Sequence, residues 1–337
     1  MNKLTKLGVS ALCGSLAGIS AANAGELSVS GGVDMSWISL EDATTGNPIG
    51  VGSNFGLAGS GELDNGWGVA LSIAMNNGNA YSNTNVVVTV PSLGDVRISQ
   101  GVSGGGIDRM DDSTPNVWEE AYGTGLGTGI NTVAGVSGHA NIEVTPTALT
   151  PDGLTARVAW SPDSGSQSAD KGSSGVGQTG GGYDITLTAT GEMTGVDGLT
   201  IYGGMSKVDA NTAASTQADD VSEETFGITY AVGGFTVGYQ ISREDLGTNT
   251  AAMEYDNAGY GITFNVNDDL SVGYNNFESD QSNSGGDVTA EAASFQIAYT
   301  MGGMSIRVAQ ASIDNASYQT TTQYDRDART VSVSLAF

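Results

Sequence analysis

The sequence predicts an all-β protein: a transmembrane up-and-down antiparallel β-barrel of about sixteen strands. Three observations predict it. Apolar and polar residues alternate with a period of two along most of the chain, short and long connections alternate between those segments, and a secretory leader precedes them.

The leader occupies residues 1–24. Lys3 and Lys6 form a basic start, an apolar stretch runs from Leu7 to about Ala22, and Ala22-Asn23-Ala24 offers small residues where a signal peptidase reads. Cleavage is expected before Gly25, which leaves one domain, residues 25–337. The apolar stretch is too short and too rich in glycine to serve well as a membrane helix. The only cysteine, Cys13, lies in the leader, behind residues that do not resemble a lipobox. An exported chain without cysteine gains nothing from disulfides and needs a large, regular fold.

The alternation recurs from end to end. Leu27, Val29, Val33, Met35 and Trp37 share one face, opposite Ser28, Ser30, Asp34 and Ser36. Trp67 to Met75 repeats the pattern, and so does Tyr183, Ile185 and Leu187 against Asp184, Thr186 and Thr188. Phe235, Val237, Tyr239 and Ile241 stand opposite Thr236, Gly238, Gln240 and Ser242, and Val331, Val333, Leu335 and Phe337 close the chain. Successive side chains of a strand point to opposite faces, so each segment has one apolar and one polar face.

Sixteen such strands are expected near 26–40, 53–63, 67–76, 85–90, 95–101, 139–149, 154–161, 183–193, 199–207, 222–232, 235–244, 252–266, 270–279, 288–301, 304–312 and 326–337. Asp64-Asn65-Gly66, Pro151-Asp152-Gly153, Gly233-Gly234 and Gly302-Gly303 are tight hairpin signals. Longer polar links lie between them, as at 41–52, 162–182 and 313–325.

A soluble β-sandwich or β-solenoid would share the alternation. Three details favour the membrane. The polar face is built from Gly, Ser, Thr and Ala, as suits the wall of a wide lumen. Aromatics gather at strand ends, at Trp37, Trp67, Tyr183, Tyr230 and Phe235, as in interfacial girdles. The chain also closes on Phe337 with apolar residues at alternate positions before it. No segment of the mature chain is long and apolar enough for a transmembrane helix.

Charge narrows the partners. The whole chain has 11 basic and 37 acidic residues; without Lys3 and Lys6 the mature chain has 9 against 37, a net charge of −28. Phosphate backbones need Lys and Arg, so the charge argues against nucleic acid as a partner.

These features together resemble the Gram-negative general porins, particularly the alphaproteobacterial sixteen-stranded type. The resemblance covers the mature chain and rests on the leader, the opening strand Glu26-Leu27-Ser28-Val29-Ser30-Gly31 and the closing strand Val331-Ser332-Val333-Ser334-Leu335-Ala336-Phe337. It implies an outer-membrane channel among lipid, usually a homotrimer, whose terminal Phe337 is read by the outer-membrane assembly machinery. It also implies that the longest link, 102–138, is a third loop folded into the barrel.

That link carries Asp108, Asp111, Asp112, Glu119 and Glu120, with Arg109 as its one base. On composition alone it is a solvated acidic loop; at the family position these residues become the pore constriction, where carboxylates face passing solutes with little screening. Arg97, Arg157 and Arg307 have lumen parity, because each lies between residues of outward parity and a lipid-facing arginine costs about 2–4 kcal/mol at the midplane. They are the expected pore wall; Arg326 shares the parity near the rim. Each arginine can equally bridge a neighbouring carboxylate. Tyr202 is one of few aromatics of lumen parity, so an aromatic solute track has little support.

Other chemistry is poorly specified. His139 lies near Ser137, but nothing around it orients a base, so no enzyme is expected. Gly123 to Gly129 lacks the Lys-Ser/Thr ending of a phosphate loop. No cofactor is expected, and residues 103–112 lack a full calcium-loop spacing, although acidic loops suit weak Ca²⁺ binding. The expected function is passive diffusion of small hydrophilic solutes. Acids assigned to external loops, namely Asp163, Asp170, Asp209, Asp219, Asp220, Glu278, Asp280 and Asp314, make weak cation selectivity the expectation.

Overall fold

A computed structural model describes residues 27–41, 46–76, 80–101, 104–164, 179–210, 219–248 and 252–336. Residues 1–24, the expected leader, lie outside the described residues, as do Asp170 and Phe337. The chain forms one closed barrel of sixteen strands in sequence order, every neighbouring pair antiparallel. The strands are β1 (Leu27–Glu41), β2 (Ile49–Glu62), β3 (Gly68–Asn76), β4 (Ala80–Val90), β5 (Gly94–Gln100), β6 (Asn141–Thr145), β7 (Leu154–Ser161) and β8 (Thr179–Ala189). They continue as β9 (Leu199–Ala210), β10 (Val221–Val232), β11 (Phe235–Asp245), β12 (Ala252–Asn265), β13 (Leu270–Asn283), β14 (Val288–Met301), β15 (Met304–Asp314) and β16 (Arg326–Ala336). β1 closes the ring on β16, from Gly32 opposite Ala336 to Glu41 opposite Asp327.

Closure leaves no sheet edge, so the ladder satisfies the backbone groups that hydrocarbon cannot. It also turns the period of two into an inside and an outside. On β11, Phe235, Val237, Tyr239 and Ile241 are exposed outward, whereas Gln240, Ser242 and Glu244 are buried on the lumen side. Trp37, Trp67, Tyr183, Tyr230 and Phe235 are all exposed. Two further aromatics join them: Trp160 stands directly opposite Tyr183, and Phe264 stacks on Phe235 with ring centroids 4.4 Å apart.

Several boundaries differ from the sequence expectation. β8 stops at Ala189, not 193, because Gly191–Thr194 makes a single helical turn ended by Gly195 at φ 74°. β6 covers only Asn141–Thr145 of the expected 139–149, because the long link remains irregular up to it. Tight links do alternate with longer ones, but 77–79 and 284–287 are short on the long-loop side. Four acids expected in external loops belong to strands instead. Asp209, Glu278, Asp280 and Asp314 lie on β9, β13 and β15 with the parity of Met205, Tyr274 and Val308, on the outer face near the loop ends.

Candidate functional site

Among the described residues of the connection between β5 and β6, the regular structure is two 3-10 turns, Gly106–Met110 and Ala121–Gly123. Such a segment has backbone donors and acceptors with no ladder to join, and inside a barrel each needs a partner. The lumen-facing side chains of the wall supply them. The outgoing limb starts against β7 to β10, where Gly106–Met110 packs. Gln240 on β11 accepts from Ser113 N at 3.2 Å and donates to Met110 O at 2.6 Å. Gln296 on β14 accepts from Trp118 N at 3.0 Å, and Asn275 on β13 donates to Glu119 O at 3.2 Å. Thr330 on β16 donates to Thr124 O at 2.8 Å.

The returning limb retraces the same wall. Arg326 donates to Leu126 O at 2.9 Å, and Asn257 on β12 donates to Asn131 O at 3.2 Å. Glu223 on β10 accepts from Ala134 N at 3.3 Å and Gly135 N at 2.6 Å. Asp184 on β8 accepts from Val136 N at 3.2 Å and, on the outgoing limb, from Ile107 N at 3.0 Å. Glycine is required on both sides of that carboxylate. Gly106 and Gly135 have φ of 54° and 58°, and a Cβ on them would fall 1.8 and 2.4 Å from an Asp184 oxygen.

The expected site residues separate into two groups. A basic group sits on β5 to β7. Arg97 is directly opposite Glu143 of β6 and pairs with it at 3.4 Å. Arg109 from the loop pairs with the same carboxylate, donating to Glu143 Oε1 at 2.5 Å, and Gly106 N donates to its Oε2 at 2.8 Å. Arg157 shares the face of buried Ala159 and makes no ion pair among the described residues. Two arginines thus pair with one carboxylate, and Arg157 adds a third positive charge on the same wall.

The acidic group lies farther along the loop, against β11 to β14. Burial raises the Asp111 carboxyl well above its ordinary range, and the nearby Asp112 and Asp108 charges add to this. Burial, with Asp112 next, pushes Glu120 up to about 8, while Asn116 donates to its carboxylate. Asp112 is raised by burial. Glu119 is raised by burial too, but the Arg307 guanidinium opposes the shift. Arg307 also lies 3.9 Å from Asp34, which accepts from Ser332 at 2.6 Å. Asp108, close enough for its charge to act on Asp111 and Asp112, accepts from Ser137 Oγ at 2.8 Å and from Gly104 N.

Arg97, Arg109 and Arg157 therefore come together, as do Asp111, Asp112, Glu119 and Glu120, with Arg307 beside the second group. Sequence reasoning missed Glu143, Asp184, Glu223, Glu244, Gln240 and Gln296. Their signal was present: each is an acid or amide at a lumen-parity strand position. His139 and Ser137 form no nucleophile-base pair. The Ser137 hydroxyl donates to Asp108. No group of three or more His, Cys, Asp or Glu among the described residues is arranged to hold a metal ion.

A closed sixteen-stranded barrel, apolar outside and polar inside, with its longest link lodged against the inner wall, defines an outer-membrane channel. The chain belongs to the Gram-negative porin family, whose model matches residues 8–315. It resides in the outer membrane. The fold is similar to that of OmpT, an outer membrane protein of Vibrio cholerae, at 13% identity and a TM-score of 0.67, over 96% of this chain and 100% of that one. It is also similar to Salmonella typhi OmpF in complex with daunomycin, at 13% identity and a TM-score of 0.68, over 95% and 100% of the two chains. An anion-selective porin from Comamonas acidovorans matches at 14% identity and a TM-score of 0.67, over 92% and 99%. No curated protein sequence matches the chain.

Proposed function

We propose that the protein is a passive, water-filled diffusion channel for small hydrophilic solutes, sieved by residues 104–138 and weakly cation-selective. The supporting observation is the double traverse of that loop along the inner wall, tied at Gln240, Gln296, Thr330, Glu223 and Asp184. A loop held so firmly narrows the lumen by a constant amount. The arginines on one side and the carboxylates on the other set a transverse field that orients polar solutes. Tyr202, Tyr255 and Phe277 point inward but are buried, which favours a sieve over an aromatic track for one chosen solute.

The channel performs no catalysis and needs no cofactor. It works as a homotrimer in outer-membrane lipid after assembly through Phe337; OmpT of Vibrio cholerae has been described in a trimer form. Purified protein added to a planar bilayer tests the reading. Stepwise conductance in triplets is expected. Silence would instead identify a structural or adhesive β-protein, and saturable transport of one solute would identify a substrate-selective channel.

A further inference from the structure

The link between β15 and β16, residues 315–325, is held in a conformation that exposed loops do not need. Asn315, Ser317 and Tyr318 have φ of 56°, 53° and 55°, and among the described residues no other non-glycine has positive φ. Side chains in that region are strained and persist there only when their surroundings over-determine them. The surroundings here are the third loop. Ser317 N donates to Thr128 O at 2.6 Å. The Tyr318 hydroxyl accepts from Asn131 N at 3.1 Å and lies 2.8 Å from Ser279 Oγ on β13. Its ring is 7% exposed and packs on Tyr255 with centroids 5.2 Å apart. The fit is mutual, since a Cβ on Gly129 would fall 2.5 Å from Ser317 Oγ and 3.2 Å from Ser317 Cα.

From this we propose that the β15–β16 link is a second lumen element and that Tyr318 is a positioning residue of the constriction. Asn131 is the farthest point of the returning limb held by side chains of β11 and β12, through Glu244 and Asn257. Between it and the Arg326 contacts, residues 128–131 have Ser317 and Tyr318 as their cover. Tyr318 bridges that limb to the wall, so it sets how far the limb projects into the solute path. The inference rests on the diffusion-channel reading and adds a size-determining residue to it.

The test compares wild type, Tyr318→Ala, Tyr318→Phe and Gly129→Ala in two assays, bilayer recording and liposome swelling with sugars of increasing size. Heat-modifiable electrophoretic mobility reports barrel assembly. Tyr318→Ala is expected to raise open-channel noise and to increase the swelling rate with large sugars, relative to small ones, at least twofold, while the barrel still assembles. Tyr318→Phe keeps the ring, loses the Asn131 bond and should fall between the two. Gly129→Ala should reproduce the alanine phenotype from the opposite side of the contact. If Tyr318→Ala does not assemble, Tyr318→Phe and Gly129→Ala decide the matter. Assembled variants with wild-type noise and size discrimination would overturn the positioning role and leave the channel intact. A wild type that does not conduct would overturn the channel reading itself.

Discussion

Asp184 accepts backbone hydrogens from both limbs of the third loop, from Ile107 at 3.0 Å and from Val136 at 3.2 Å, so one wall carboxylate clasps the loop at its base. Asp184→Ala leaves both buried N–H groups without an acceptor, at a cost of about 1–3 kcal/mol each. The barrel, held by sixteen ladders, should still assemble. The loop should loosen, seen as higher single-channel conductance with excess noise. Wild-type conductance in an assembled Asp184→Ala channel would show that the remaining tethers suffice.

Deleting residues 110–130 removes the stretch that crosses β11 to β16. Conductance should rise well beyond that of any single tether mutant, with heat-modifiable mobility preserved. An assembled deletion channel with unchanged conductance would mean that the loop does not limit the flow.

Glu143 offsets one charge of a group of three arginines, pairing with Arg97 and Arg109. Glu143→Gln should therefore shift the reversal potential in a KCl gradient toward anions. The shift should be larger at 0.01 M than at 1 M salt, because the Debye length falls from about 30 Å to about 3 Å. No shift would place these arginines away from the ion path.

The acidic group should make selectivity depend on pH. A carboxyl with a raised pKa is neutral below that value and negative above it. Glu120, at about 8, and Asp111, raised by burial, gain charge as the solution turns alkaline. Cation preference should be weak at pH 6, grow between pH 7 and 9, and grow further on salt dilution. Glu120→Gln should flatten the alkaline rise. A clear anion preference at low salt and pH 9 would show that Arg97, Arg109 and Arg157 dominate.

The placement of four other acids bears on the same measurement. Asp209, Glu278, Asp280 and Asp314 are on the outer face of strands, so they do not ring the mouth as loop residues would. Fewer acids lie in the external loops than the sequence reading assigned there, so more of any cation preference should come from the third loop.

The barrel was legible because its information is local. A period of two along Phe235 to Ile241, or along Val331 to Leu335, assigns each side chain a face without reference to any other strand. Tight turns such as Gly233-Gly234 then determine neighbours and direction. Parity alone also placed Arg97, Arg157 and Arg307 inside. The site was legible only as composition: residues 108–120 read as acidic, but not which carboxylates gather or which wall groups hold them. Asp184 and Ile107 are 77 positions apart, and the partner of Asp184 is a backbone N–H, which has no residue type to read. The same holds for Tyr318 and Asn131, 187 positions apart. Strand faces follow from the chain's own stereochemistry, whereas a loop's anchorage depends on which wall positions closure brings beneath it, and only the closed barrel decides that.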